Sequence, residues 1–97
     1  MKVLIQQRAE IAIRSLENSD RRRVLKAIAD LESQAQAQHR GEKWHRLSRT
    51  VNGKTLFSYR IGLKYRLVIS IDGDTCTVED VVSHDRWARR GSEWTQE

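Results

Sequence analysis

The sequence predicts an α+β domain: the order β-α-α-β-β-β, with one antiparallel sheet packed on a helical hairpin and an optional short C-terminal helix. Three observations carry that prediction. Apolar residues recur at helical spacing through the first third of the chain, and from residue 55 the period changes to two. Asp72-Gly73, a strong two-residue hairpin signal, separates two alternating runs. A chain of 97 residues, 38% hydrophobic and 32% charged, can bury one modest core and is too apolar to stay disordered. One domain is expected over residues 1–90, with 91–97 a loose tail.

The elements follow in chain order. Lys2 to Ile5 forms a short strand. Ala9, Ala12, Ile13 and Leu16 mark the inner face of a first helix. Glu17-Asn18-Ser19-Asp20 breaks it, and Asn18 or Ser19 can cap a second helix. Val24, Ala27, Ile28, Leu31 and Ala35 line that helix, which should end near Arg40, with Gly41 at the stop. Arg21-Arg22-Arg23 opposes the helix dipole at its start and reads as a solvated face or a partner contact. The basic segment KWHRLSRTVNGK reads as a loop, followed by strands near residues 56–61, 66–71 and 75–82. A short basic helix can form from Asp85 to Arg90.

Register decides which side chains meet, because strand residues alternate between faces. With Gly62-Leu63-Lys64 as a three-residue loop, Ile61 pairs with Tyr65, Tyr59 with Leu67 and Phe57 with Ile69, all on one apolar face. Arg60 then stands opposite Arg66 on the other face. Like charges so placed repel by a few tenths of a kcal/mol or more, and together they suit an anion such as phosphate. The Asp72-Gly73 turn would set Ile69 against Cys76, Leu67 against Val78 and Arg66 against Glu79. So two readings of Arg66 stand side by side: phosphate ligand, or ion partner of Glu79. Cys76 reads as a small core residue, not a reactive thiol.

Composition narrows the function classes. No apolar run reaches the length of a membrane-spanning helix, and MKVLIQQRAE is too short an apolar stretch for a secretory signal. A single cysteine offers neither a disulfide nor a metal cluster. A cytoplasmic protein is the expectation. Eighteen Lys and Arg against 13 Asp and Glu, a net charge of +5, point to an acidic partner: RNA, DNA or an acidic protein.

The hairpin RIGLKYRLVISI, the closing VEDVVSHD and the element order together resemble the RelE/ParE toxin superfamily of type II toxin–antitoxin systems. The matching residues are Arg60, the run Tyr65-Arg66-Leu67-Val68, and His84. The step from Arg60 to Arg66 looks most like the HigB branch, and the Ser83-His84 ending looks like the YafQ branch. The tyrosine that the RelE branch carries after the last strand is missing here, which favours the histidine-based branches. The resemblance spans about residues 1–90.

It implies a small toxin that cuts mRNA in the ribosomal A site, without metal or cofactor, and a cognate antitoxin that covers its basic surface. Such cleavage needs a base for the ribose 2′-OH, cations for the phosphate and an acid for the leaving 5′-oxygen. Arg60 and Arg66 match the phosphate-binding positions and His84 the catalytic histidine; an imidazole titrates near 6.5 in water. Lys43, His45, Arg46 and Lys54 are expected to hold RNA, with His45 or Lys54 as a second proton-transfer group; Arg49 adds to the same basic segment. Arg86, Arg89 and Arg90 are candidates for contacts to ribosomal RNA. Trp44 and Trp87 each have two readings, as packing anchors or as platforms for a base. Two alternatives remain. A ParE-like gyrase inhibitor would bind without catalysis. A non-catalytic nucleic-acid-binding domain on the same fold would have its arginines neutralised by Glu79, Asp80 and Asp85.

Overall fold

Lys2–Ile5 forms β1, Gln7–Arg14 α1 and Asn18–Glu32 α2 in a computed structural model that describes residues 2–33 and 43–90. Trp44–Val51 (β2), Lys54–Ile61 (β3), Tyr65–Asp72 (β4) and Thr75–Ser83 (β5) follow, and His84–Arg90 closes as α3. The architecture is α+β, with a mostly antiparallel five-stranded sheet in the order β1-β5-β4-β3-β2.

Two expectations change together. The segment read as a basic loop is mostly strand: β2 pairs antiparallel with β3 through a two-residue turn at Asn52-Gly53. Both turn residues have positive φ, 51° and 77°, which matches the right-handed twist of the strands they join. The sheet is also not wholly antiparallel, since β1 pairs parallel with β5. One extra strand explains this. If each joint reverses the chain, inserting β2 adds one reversal between β1 and β5 and turns an antiparallel pair into a parallel one.

The first hairpin adopts the expected register: Ile61 faces Tyr65, Tyr59 faces Leu67 and Phe57 faces Ile69, with Arg60 opposite Arg66. Gly62 takes φ 56° at the head of its loop, a conformation that suits a residue without Cβ. The second hairpin differs from expectation. Asp72 pairs with Thr75, so Gly73-Asp74 forms the turn, and a bulge at Glu79 on β5, opposite Val68 and Ile69, shifts the register again. Ile69 meets Val78, Leu67 meets Val81 and Arg66 meets Val82. Glu79 takes up the extra residue, and its Oε2 accepts a 2.6 Å hydrogen bond from Ser70. The expected Arg66–Glu79 pair therefore does not form.

The main core lies between the helices and one face of the sheet. Ala9, Ile13, Val24, Ala27, Ile28 and Leu31 pack on Tyr59, Leu67, Ile69, Cys76, Val78 and Val81. Each fully buried Leu or Ile contributes about 1.5–3 kcal/mol of burial. The bulge at Glu79 changes which face the later β5 residues take, so Val81 continues the helix-facing row begun by Cys76 and Val78. On the other face Leu47, Leu56, Val68 and Val82 form a smaller cluster, with Trp87 of α3 packed against it.

The helix ends also depart from the sequence reading. Neither Asn18 nor Ser19 caps α2; the capping position is Glu17, without a side-chain bond. Asn18 instead accepts from Arg21 at 3.2 Å. Arg21 is no solvated charge: its guanidinium donates to the carbonyls of Arg14 at 3.0 Å and Leu16 at 2.8 Å. It thereby caps the C-terminal end of α1, where positive charge suits the dipole. Arg22 and Arg23 are exposed. Helix α2 ends at Glu32, short of Arg40, with Ser33 turning back to the Asp30 carbonyl at 2.8 Å. The apolar stripe loses its large residues after Leu31. The expected roles of Ala35, Arg40 and Gly41 lie outside the described residues, as does the tail 91–97.

Candidate functional site

At the Gly62 end of the β3–β4 hairpin the sheet opens into a cleft of about 330 Å³, lined by Arg60, Gly62, Leu63, Tyr65, Arg66 and His84. The cleft gathers all three residues that the sequence marks as catalytic candidates. Arg60 and Arg66 arrive there because they are direct cross-strand partners on the face away from α1 and α2. His84 arrives because β5 ends at Ser83, next to Tyr65. The His84 N–H donates to the Lys64 carbonyl at 2.7 Å, and Ser83 Oγ caps α3 by accepting from the Arg86 N–H at 3.1 Å. That fixes the backbone of His84 while its side chain stays exposed.

The two arginines differ. Arg60 is exposed. Arg66 is half-buried: its guanidinium lies 5.2 Å from the centre of the Trp87 ring, and one of its nitrogens donates to Ser58 Oγ at 3.4 Å. Its Nε is buried with no hydrogen-bond partner among the described residues. No ion pair to Arg60 or Arg66 occurs among the described residues. Among the described residues the two cations therefore stand opposite each other without a counter-charge, an arrangement a few tenths of a kcal/mol or more above a neutral pair. Trp87 packs the helix onto the sheet, the first of its two expected roles, and its ring also supports the Arg66 guanidinium.

The remaining basic candidates scatter. The Arg60 N–H donates to the Lys43 carbonyl at 2.9 Å, so Lys43 extends the arginine pair to the outer edge. His45 pairs with Ser58 and shares the face of Arg60 and Arg66, about 12 Å from Arg66 by strand spacing and the two-residue offset along the strand. Arg46 pairs with Phe57 and sits on the opposite face. Lys54 starts β3, about 20 Å from Arg60 along the strand, and lies 3.8 Å from Asp72. Arg86 lies 3.6 Å from the buried Asp80, which Arg8 approaches from α1 at 3.4 Å. The side chains of Arg49, Arg89 and Arg90 lie outside the described ones. Trp44 stands edge-on to Phe57 and Tyr59, with ring centres 5.8 and 4.9 Å away, as a packing anchor.

One cluster behind the cleft has no sequence signal. Asp20, 4% exposed, accepts from Lys64 Nζ and from the Tyr65 hydroxyl, both at 3.1 Å. The Lys64 hydrogen bond, with a smaller one from Tyr65, holds the Asp20 carboxyl below its usual range against the opposing effect of burial. Lys64 is raised by the same bond. Burial, then the bond to Asp20, raises Tyr65. Forty-four residues separate Asp20 from Lys64, so no local motif links them.

Among the described residues, no helix is long and apolar enough to cross a membrane, and no three His, Cys, Asp or Glu side chains cluster as metal ligands. No family model and no curated protein matches the sequence. Solved structures share the fold, two of them as follows. One is RelE in the archaeal RelE–RelB complex from Pyrococcus horikoshii OT3, at 22% identity and a TM-score of 0.68, over 88% of this chain and 96% of that one. The other is the conserved hypothetical protein HP0894 from Helicobacter pylori, at 12% identity and a TM-score of 0.54, with the same coverage.

Proposed function

We propose that this RelE-like domain is the toxin of a type II toxin–antitoxin pair and an mRNA endonuclease acting on the ribosome. One observation carries the proposal: a single open cleft lined by Arg60, Arg66 and His84. The fold shared with a RelE bound to RelB supports it and suggests an antitoxin as partner.

The chemistry follows from the side chains. Arg60 and Arg66 bind the scissile phosphate, whose negative charge relieves their repulsion. Trp87 holds Arg66 in place beforehand, so little reorganisation is needed as charge builds on the phosphate oxygens. The 2′-oxygen attacks phosphorus and the bond to the 5′-oxygen breaks, leaving a 2′,3′-cyclic phosphate and a 5′-hydroxyl. His84 carries one proton transfer in this step, to the leaving 5′-oxygen. The proton of the 2′-OH passes to solvent or to His45, the nearer of the two expected second groups. DNA lacks the 2′-OH and is not a substrate.

The test is induction of the chain in a bacterial host with mapping of mRNA 5′ ends. Growth arrest with new ends inside translated codons, lost in Arg66→Ala and His84→Ala variants that still fold, is the expected result. Arrest without cutting, accompanied by altered DNA supercoiling, would replace this reading with gyrase inhibition.

A further inference from the structure

Three contacts run in series from α2 into the cleft. The Asp20 carboxylate, in the first turn of α2, holds Lys64 Nζ and the Tyr65 hydroxyl through one oxygen, each at 3.1 Å. The Lys64 carbonyl accepts the N–H of His84 at 2.7 Å. His84 and Tyr65 then line the cleft with the two arginines. Nothing else described pins this loop from outside: Leu63 at its tip is 89% exposed, and a Cβ built on Gly62 would meet no atom within 4 Å. Beyond its strand ends, where Ile61 pairs with Tyr65 and Tyr65 with Ser83, the loop is held by its side-chain attachment at Lys64 and Tyr65. That attachment ends on a carboxylate that is almost fully buried, a placement that costs free energy unless donors satisfy it.

We infer that Asp20 is a positioning residue: through Lys64 and Tyr65 it fixes the Gly62–Lys64 loop, and through the Lys64 carbonyl it sets where His84 stands relative to Arg60 and Arg66. Its bearing on cleavage rests on the function proposed above; its bearing on the place of His84 does not. Asp20 touches no substrate. It acts across the sheet's end, from the helical layer to the cleft.

Amide hydrogen exchange on the full chain tests the relay directly. Asp20→Ala and Lys64→Met should speed exchange of the His84 amide about tenfold or more, while Leu67, Ile69 and Val78 amides in the same variants keep their wild-type rates. Lys64→Arg should restore protection. Single-turnover cutting of ribosome-bound mRNA should slow about tenfold in the same two variants with unchanged half-saturation, because a displaced imidazole costs rate and not binding. The side chain of Lys64 is 63% exposed, so Lys64→Met keeps the test available if Asp20→Ala does not fold. Wild-type protection of His84 in both variants overturns the inference. So does lost protection with an unchanged cutting rate. If the wild-type chain cuts no mRNA, the proposed function falls, and the amide measurement alone still decides the relay.

Discussion

The guanidinium of Arg66 rests 5.2 Å from the centre of the Trp87 ring, so α3 supports the cation that β4 delivers to the cleft. Replacing Trp87 with Leu removes a cation–π contact of about 0.5–1 kcal/mol. It also removes part of the cover over Leu56, Val68 and Val82, about 1–2 kcal/mol more. Urea unfolding should register both losses. Cutting should fall further than stability accounts for, because Arg66 loses its support while the protein remains folded. Trp87→Phe, which keeps a ring, should retain most of both properties.

Arg60 and Arg66 predict opposite stability effects. Arg60 is exposed and faces a like charge, so Arg60→Ala should leave the fold unchanged or more stable by a few tenths of a kcal/mol. Arg66→Ala should destabilise, since it gives up both Trp87 and Ser58. Both should abolish cutting. Thermal melts beside 5′-end mapping separate the two cases; an Arg60→Ala protein that melts well below wild type would show that the pair is structural.

The fold was legible where period and loop length agree. Three loop residues between Ile61 and Tyr65 dictate that Arg60 meets Arg66, and they do. The β2 strand was obscured by its own side chains: Lys43, His45, Arg46 and Arg49 read as solvated loop, although an edge strand tolerates charge well. Asn52-Gly53 was the available signal, since that dipeptide favours the positive-φ turn found there. The bulge at Glu79 has no such marker. The turn at Gly73-Asp74 moves the register by two residues and the bulge by one more, so Arg66, set against Glu79 by the sequence reading, faces Val82 in space. The Asp20 relay was invisible because burial of a carboxylate depends on partners far away in the chain.

The Asn52-Gly53 turn can be tested by backbone strain alone. A Cβ at Gly53 would meet no atom within 4 Å, so Gly53→Ala introduces no clash. It forces alanine to φ 77°, which costs about 1–2 kcal/mol, partly offset by a less flexible unfolded chain. A net loss of about 1 kcal/mol in urea unfolding is expected, with faster amide exchange in β2 and no change in β5.

Cys76 is wholly buried, and burial pushes its thiol up to about 12. A neutral, enclosed thiol does not react. Iodoacetamide at pH 8 should leave the native chain unmodified over hours and label it promptly in 6 M guanidinium, as read by intact mass. Rapid native labelling would mean that β5 opens locally near its pairing with Val3 and Ile71.

The Asp20–Lys64–Tyr65 cluster sets a pH window for stability. Asp20 is held below its usual 3.8, chiefly by Lys64, with Arg23 adding a weaker pull. A depressed carboxylate stabilises the fold above its unfolded value, and that contribution fades as pH falls below 3.8 through the folded value. Lys64 has the opposite sense. It is raised above 10.5, chiefly by Asp20 with a small contribution from Glu17, so its stabilisation is complete below 10.5 and fades as pH climbs through the folded value. Tyr65, raised above 10.0 by burial first, fades on the same alkaline side. The stability difference between wild type and Asp20→Asn should therefore be flat from about pH 5 to 9 and shrink at both ends. Urea titrations at pH 2.5, 4, 7, 9 and 11 read that shape. A difference that stays constant at pH 2.5 would mean that Asp20 is held by shape and not by charge, and Lys64→Met should then leave stability at pH 7 untouched.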